Sequence, residues 1–499
     1  LDQVRAEKAE KPLIVSLDIG TSAVRALLFD AAGYAVRNVE ARCKNELEVS
    51  SEGACEADAE ALFQKICSCL DGLLAGLDER LRAIGAVAVT TFVNNILGLD
   101  DSGRPLTPLT TYADTRSAGE AERLRSVLDE AEVHNRTGCH LHPSYLPCRL
   151  HWYARRHPEI FQRVRRWVSI AEYMEMQLFG EAAVSFSVAS WTGLLNRHSL
   201  LWDASLLEVL GLPWDRLSPL TGVSSPRRGL VPSYAQRWPA LADVPWFPAV
   251  GDGAAANIGS GCVTAGRVAL TMGSTSALRA VTGKDPSRIP EGLWCYRVDG
   301  RRSLPGGALS EGGNVYAWMR SILRLAESNR LEDALAARAP DGHGLTVLPF
   351  LAGERRPGWA GHARATIHGA SLSTTPIQIL QAGLEAVAYR IAMVFGLLKQ
   401  VLPGEADIIA GGGALRESRV WLQIITDVLG RPVRLSQVRE PSARGAALLA
   451  LEGLGALRTV DDAPDLAGEV FEPDPRHHEV YQEAMSRQRD LYERLVRRE

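Results

Sequence analysis

Four short stretches hold residue types at spacings suited to phosphoryl chemistry. The first is Asp18-Ile19-Gly20-Thr21-Ser22, where an apolar run ends. Gly20 lets the backbone adopt conformations closed to residues with a side chain, so successive amides can converge on an anion. Thr21 and Ser22 add hydroxyl donors. Asp18 would repel a phosphate unless a cation lies between, which makes it the candidate magnesium carboxylate. An ordinary β-turn with a strand-end carboxylate has the same text. The second stretch, Thr271-Met272-Gly273-Ser274-Thr275-Ser276, echoes the first without its carboxylate. Residues 19–26 read IGTSAVRA and residues 272–280 read MGSTSALRA, with one residue inserted. Two such turns, one with a metal carboxylate, suit a nucleotide tail clamped between two units.

The third stretch, Gly251-Asp252-Gly253-Ala254-Ala255-Ala256-Asn257-Ile258-Gly259, flanks a carboxylate with glycines at the start of a small-residue helix. Such a carboxylate can take the proton of a hydroxyl as its oxygen attacks a phosphoryl group. It can equally cap the helix, and the two roles are compatible. The fourth is Gly411-Gly412-Gly413-Ala414, between the apolar run ADIIA and a helical pattern from Ser418 to Leu429. Three consecutive glycines are entropically unfavourable to order, and a surface without side chains accepts a planar adenine.

These stretches need elements to hold them. Residues 12–17, 24–29 and the stretch YAVRNVEARC read as an opening antiparallel meander, and residues 84–91, 247–250 and 407–410 as short buried strands. Apolar residues at three- and four-residue spacing predict helices over 57–75, 116–133, 150–163, 376–402 and 418–429, with a further helix at 478–497. Strands alternating with helices predict α/β domains. The echo, half a chain apart, predicts two similarly folded ones. The proline-rich stretch 225–248 is a candidate hinge, which divides the chain into 12–248, carrying sugar and phosphate contacts, and 249–490, carrying nucleotide contacts.

The chain has 499 residues, more than one hydrophobic core accommodates. A net charge of −4 without a basic block argues against nucleic acid as a partner. No run reaches the roughly 20 apolar residues that span a bilayer, so no membrane is expected. The charged start LDQVRAEKAEK does not read as a signal peptide. The eight cysteines include no Cys-x-x-Cys pair and read as reduced, buried thiols of a cytoplasmic protein rather than a metal site.

In this order the pieces resemble the FGGY family of carbohydrate kinases, within the actin/sugar kinase superfamily, over about residues 12 to 455. His142-Pro143-Ser144 and Arg149-Leu150-His151-Trp152 are similar to its first signature, residues 411–433 to its second, and EPSARGAALLA (440–450) to the helix after it. The resemblance implies two ribonuclease H-like domains around a central cleft, with ATP and Mg2+ as cofactors. It implies Asp252 as catalytic base and Asp18 as the magnesium carboxylate. Gly20, Thr21, Ser22, Gly273, Ser274 and Thr275 would face the phosphates. Gly313, Gly412, Gly413 and Ser418 would surround the nucleoside. Asn94, Asn95, Asp114 and Asp252 would contact the sugar.

Residues 304–320 and 348–359 are most similar to the gluconate kinase branch, which implies phosphorylation of a primary hydroxyl of D-gluconate. Four positions depart from that branch. Asn94-Asn95 replaces the usual His-Ser, Tyr112 a Trp, Arg149 a Lys, and Glu311 an Asn. The asparagines suit hydroxyls, and the only cations in the 90–116 loop are Arg104 and Arg116. A ketopentose (xylulose or ribulose) or a polyol therefore stays open as the substrate. The resemblance also leaves room for a homodimer. A non-catalytic nucleotide-binding module is the rival class, but it would need no base in a glycine-flanked position.

Overall fold

The computed structural model describes residues 2–77, 79 and 83–497. Leu13–Ile19 is buried at every position, as its unbroken apolar text requires of a central strand. It is the second of six strands in the first sheet: Gln3–Val4 (β1), Leu13–Ile19 (β2), Ala23–Phe29 (β3), Ala35–Lys44 (β4), Ile84–Thr91 (β5) and Val250–Gly251 (β6). Their order is β1-β4-β3-β2-β5-β6. β2, β3 and β4 form an antiparallel meander, and β5 and β6 join in parallel.

The second sheet contains Arg267–Met272 (β7), Ser276–Ala280 (β8), Trp294–Arg297 (β9), Ser303–Leu309 (β10), Asp407–Gly411 (β11), Val433–Ser436 (β12) and Ala467–Phe471 (β13). Their order is β9-β10-β8-β7-β11-β12-β13. β7, β8 and β10 are antiparallel, while β11 and β12 are parallel to β7. Apart from the added strands, both sheets follow one plan: third, second, first, fourth, fifth. This is the ribonuclease H-like topology, present twice. The echo in the sequence marks the first hairpin of each copy.

Six helices matter for the site: Ala59–Ala75 (α1), Asp252–Gly259 (α2), Gly313–Ile322 (α3), Pro376–Leu398 (α4), Arg419–Leu429 (α5) and Pro441–Leu454 (α6). The Asp58 side chain caps α1 by accepting from the Ala61 amide, and Leu62, Phe63, Ile66 and Leu70 on one face are buried against the first sheet. The 23-residue α4 is long and apolar enough to cross a membrane, yet 78% of its most apolar window is buried in the second domain. It packs on α5, β8 and β10 as a core helix.

α2 and α6 occupy equivalent places in the two copies and lie against each other. A Cβ at Gly259 would fall 1.9 Å from the Pro441 carbonyl oxygen, and one at Gly445 would fall 1.8 Å from that of Ala255. The backbones are therefore in direct contact. Around them Ala254, Ala255, Ile258, Ala443, Ala446 and Ala447 join Tyr145, Trp191, Trp294 and Tyr296 in a core shared by both domains.

Three expectations need correction. The first domain does not end at 248: β6 extends its sheet through Gly251, and α6 returns from the end of the chain to pack on β2 and β5. The 225–248 stretch is not a free hinge. Its Trp246 bridges to Val87, and the Phe247 amide donates to the Val87 carbonyl at 2.8 Å, so its end lies along the edge of β5. The helical patterns at 116–133 and 150–163 each break. Asp129 caps a new helix at Glu130, and Pro158 opens another after His157. All eight cysteines are free thiols, and all but Cys43 are buried.

Candidate active site

Asp18 is the penultimate residue of β2, directly across the hairpin from Arg25 of β3. It is 5% exposed, and the Arg25 guanidinium lies 3.8 Å away while ion-pairing with Glu440 at the start of α6. Burial pushes the Asp18 carboxyl up to about 7; Arg25 opposes this, and the nearby carboxylates of Asp252 and Glu440 add to it. The Gly20-Thr21-Ser22 turn is secured from beneath by Asn45. Its side chain donates to the Gly20 carbonyl at 2.6 Å, and its amide to the Ser22 carbonyl at 2.9 Å. Thr21 and Ser22 remain accessible.

The second turn, Gly273–Thr275, is exposed at all three residues. The start of α3 holds it, through Gly313 N–H to the Gly273 carbonyl at 2.8 Å and Asn314 N–H to the Ser274 carbonyl at 3.0 Å. Gly313 must be glycine, because a Cβ there would meet the Gly273 oxygen at 2.7 Å. Gly412 has φ +102°, and its Cβ would lie 2.1 Å from the Met272 carbonyl oxygen. The triple-glycine loop thus abuts the strand that leads into the second turn. Gly413 opens a short helix with nothing within 4 Å of its missing side chain. The Ser418 hydroxyl caps α5 by accepting from Trp421 N–H at 3.1 Å and donates to Glu332 at 2.7 Å, so it serves the fold rather than a free surface.

Asp252 is the first residue of α2, with Gly251 in the capping position. Its Oδ1 accepts from the Gly253 amide at 2.7 Å. The flanking glycines make room for Trp191. A Cβ at Gly251 would be 2.7 Å from the indole nitrogen, and one at Gly253 would be 2.9 Å from the ring. Trp191 stacks on Tyr296 at 3.7 Å, and the Tyr296 hydroxyl bonds that of Tyr145 at 2.6 Å. An aromatic floor thus joins the domains beside the carboxylate. Burial pushes the Asp252 carboxyl up, opposed by the Gly253 amide and the charge of Arg279.

Arg279, on β8, is a site residue that the motif reading did not single out. It is 8% exposed, Asp252 acts on its charge, and its Nε is buried without a partner. It stands in the echo where Arg25 stands in the first copy. The signal was therefore present in the repeated Arg-Ala.

On the sugar side the structure separates the expected contacts. Asn94 has φ +57° and a buried Oδ1 without a partner, so one acceptor is available. Asn95 is not such a group. Its Oδ1 accepts from Ile170 N–H at 2.8 Å and its Nδ2 donates to the Phe92 carbonyl at 2.6 Å, which fixes the loop. Asp114 is likewise engaged, by Arg116 at 2.5 Å and by the Cys55 amide at 3.4 Å. Arg116 also pairs with Glu56 and lies over Trp152, and Arg104 is an exposed partner of Asp100. Neither loop cation is free for a ligand. His140 stacks on His134 at 3.9 Å, and both bond carbonyls of the second domain, Glu291 and Leu293.

Cations without a carboxylate partner among the described residues lie elsewhere. Arg149 is buried and donates only to oxygens without charge, among them the carbonyls of Asn94 and Ser144 at 2.6 and 2.7 Å; burial lowers it to about 10. Arg356 lies over Trp294 and Trp359 at 4.6 and 4.3 Å, with its Nη1 unpartnered. Trp359 in turn meets His142 at 4.5 Å. Arg355, between Glu354 and Arg356, is half-buried.

A duplicated ribonuclease H-like fold, a hydroxyl-rich turn on each copy and a buried carboxylate at the start of α2 define a phosphotransferase of the actin/sugar kinase superfamily. The chain belongs to the FGGY family of carbohydrate kinases, matching its N-terminal domain over residues 13–259 and its C-terminal domain over 268–453. It is 28% identical to a gluconokinase of Bacillus subtilis, over 93% of this chain and 91% of that protein. It is 30% identical to a glycerol kinase of Gloeobacter violaceus, over 96% and 97%. A crystal structure of gluconate kinase from Lactobacillus acidophilus superposes with a TM-score of 0.91, covering 97% and 98% of the two chains at 23% identity. The chain is thus a carbohydrate kinase, transferring a phosphoryl group to an alcohol of a small carbohydrate.

Proposed function

We infer that the protein transfers the γ-phosphoryl group of ATP to the terminal primary hydroxyl of a six-carbon sugar acid, with D-gluconate as the foremost candidate. The observation that carries this reading is charge. Arg149, Arg279 and Arg356 are buried and Arg355 is half-buried, and none forms an ion pair with a carboxylate among the described residues. Unpaired buried cations are unfavourable, and a bound anion relieves them. The likeness to a gluconokinase supports the same acid. The unpartnered oxygen of Asn94 suits a hydroxyl, which keeps a ketopentose or polyol as the second reading.

In this reading Asp252 takes the proton of the acceptor hydroxyl while that oxygen bonds to the γ-phosphorus and the bond to ADP breaks. The turns Gly20–Ser22 and Gly273–Thr275 hold the phosphates from the two domains. Gly313, Gly412 and Gly413 form the floor for the nucleoside. The Asp18 carboxylate fits Mg2+: it is an oxygen donor, destabilised by burial and by two further carboxylates, Asp252 and Glu440, within electrostatic reach. Bound there, the ion would neutralise charge on the transferring phosphates.

The test is ADP release against gluconate, other sugar acids, xylulose, ribulose, glycerol and longer polyols, with product mass confirmed. Efficient turnover of a sugar acid is expected. A protein that ignores every acid and phosphorylates a neutral sugar would sink this reading, while its family membership stands.

A further inference from the structure

We propose that Arg355 is the residue that selects the substrate's carboxylate, at the far end of the pocket from Asp252; this rests on the sugar-acid reading above. The loop around Arg355 is pinned on both sides. Glu354 is fixed by the buried Arg390 and by the Tyr492 hydroxyl at 2.6 Å. Arg356 is fixed by Trp294, by Trp359 and by the Tyr145 hydroxyl at 3.5 Å. Between two immobilised neighbours, Arg355 has no hydrogen bond or ion pair among the described residues. A half-buried guanidinium on a loop fixed at both neighbours is presented in a set position, which suits it to an anionic ligand.

The position fits a carboxylate rather than the reacting phosphoryl group. Trp359 of the same loop packs on His142, so the loop faces the first domain across the cleft. The charge of Arg355 is felt by Tyr112, His142, Tyr145 and Glu311, whereas Arg279 is the arginine whose charge Asp252 feels. Tyr112, 42% exposed, is within electrostatic reach of both Arg355 and Asp252. An extended six-carbon acid has its carboxylate and its terminal hydroxyl at opposite ends. With the hydroxyl at Asp252 and Arg279, the carboxylate falls to Arg355. The guanidinium fork can bond both its oxygens, and the neighbouring Arg356 adds like charge.

The experiment compares gluconate with glucitol, the neutral alditol of the same chain. Dissociation constants by calorimetry and steady-state ADP release are measured for the wild type, Arg355→Lys, Arg355→Met and Arg279→Met. For Arg355→Met, gluconate binding should weaken on the order of 100-fold and the gluconate-to-glucitol preference should fall with it. The loss should appear mainly in KM, and Arg355→Lys should restore part of it. Equal weakening of both ligands, an unchanged preference, or a rise confined to the KM for ATP would overturn the assignment. So would a preference lost in Arg279→Met and kept in Arg355→Met. A wild-type protein that phosphorylates only neutral sugars removes the sugar-acid reading and this inference together. A wild type that takes the acid while Arg355→Met keeps its preference removes only the inference. Thermal melts of each variant separate loss of fold from loss of ligand.

Discussion

Asp252 stands between opposing influences, burial that favours its protonated form and, favouring the ionised one, the Gly253 amide and the charge of Arg279. A base must be ionised to work, so activity falls as pH drops through its pKa. Removing the charge of Arg279 leaves only the Gly253 amide to oppose burial and raises that pKa further. Arg279→Met should therefore move the acid limb of the kcat/KM profile to higher pH, and Arg279→Lys should move it less; a limb that stays in place would show the two groups are uncoupled. Asp252→Asn keeps the acceptor for the Gly253 amide but removes the base. Turnover should fall by roughly two to four orders of magnitude with the melting temperature and ATP binding preserved. The glycine spacing around Asp18 and Asp252 made both carboxylates legible in the sequence. Direction was not legible: Asn94 and Asn95 are neighbours with the same side chain, but Asn94, left-handed at φ +57°, keeps a buried Oδ1 without a partner while Asn95 is bonded into the fold. Arg355 was not legible for a related reason, since its lack of a partner among the described residues depends on packing rather than on spacing in the sequence.

At the scale of elements, the contact between α2 and α6 is the tightest in the molecule's interior to depend on absent side chains. Gly445→Ala would drive a methyl into the Ala255 carbonyl, 1.8 Å away, and the helices must separate. Overpacking of this kind costs about 1–3 kcal/mol or more, and both rigid backbones place this case at the upper end. A lowered melting temperature is expected, larger than for Gly396→Ala on α4, where a Cβ meets nothing within 4 Å. Equal melting temperatures would mean the contact is looser than the backbone positions require. The strands and long helices were legible because apolar period and burial coincide, as in Leu13–Ile19 and α4. The 225–248 stretch was misread because proline density signals irregular backbone but says nothing of whether that backbone is docked. Here Trp246 and Phe247 supply the apolar anchors.

For the whole molecule, the duplicated turns sit on different domains, so narrowing of the cleft is the expected way for both to meet one nucleotide. Closure also excludes water from the transferring phosphoryl group. Small-angle scattering with saturating sugar acid and a non-hydrolysable ATP analogue should report a smaller radius of gyration than the free protein; an unchanged radius would count against closure as a step. The arginines are unevenly shared in this movement, since Arg279, Arg355 and Arg356 ride on the second domain and Arg149 on the first. A phosphorylated sugar acid carries more negative charge than the acid that entered. On the proposed sugar-acid reading, the field that captures substrate would grip product harder, a retention problem that chemistry alone does not solve. Opening would draw three of the four cations away from the fourth and readmit solvent and salt between them, so on this reading departure of product, rather than transfer, is expected to be the step most exposed to ionic strength.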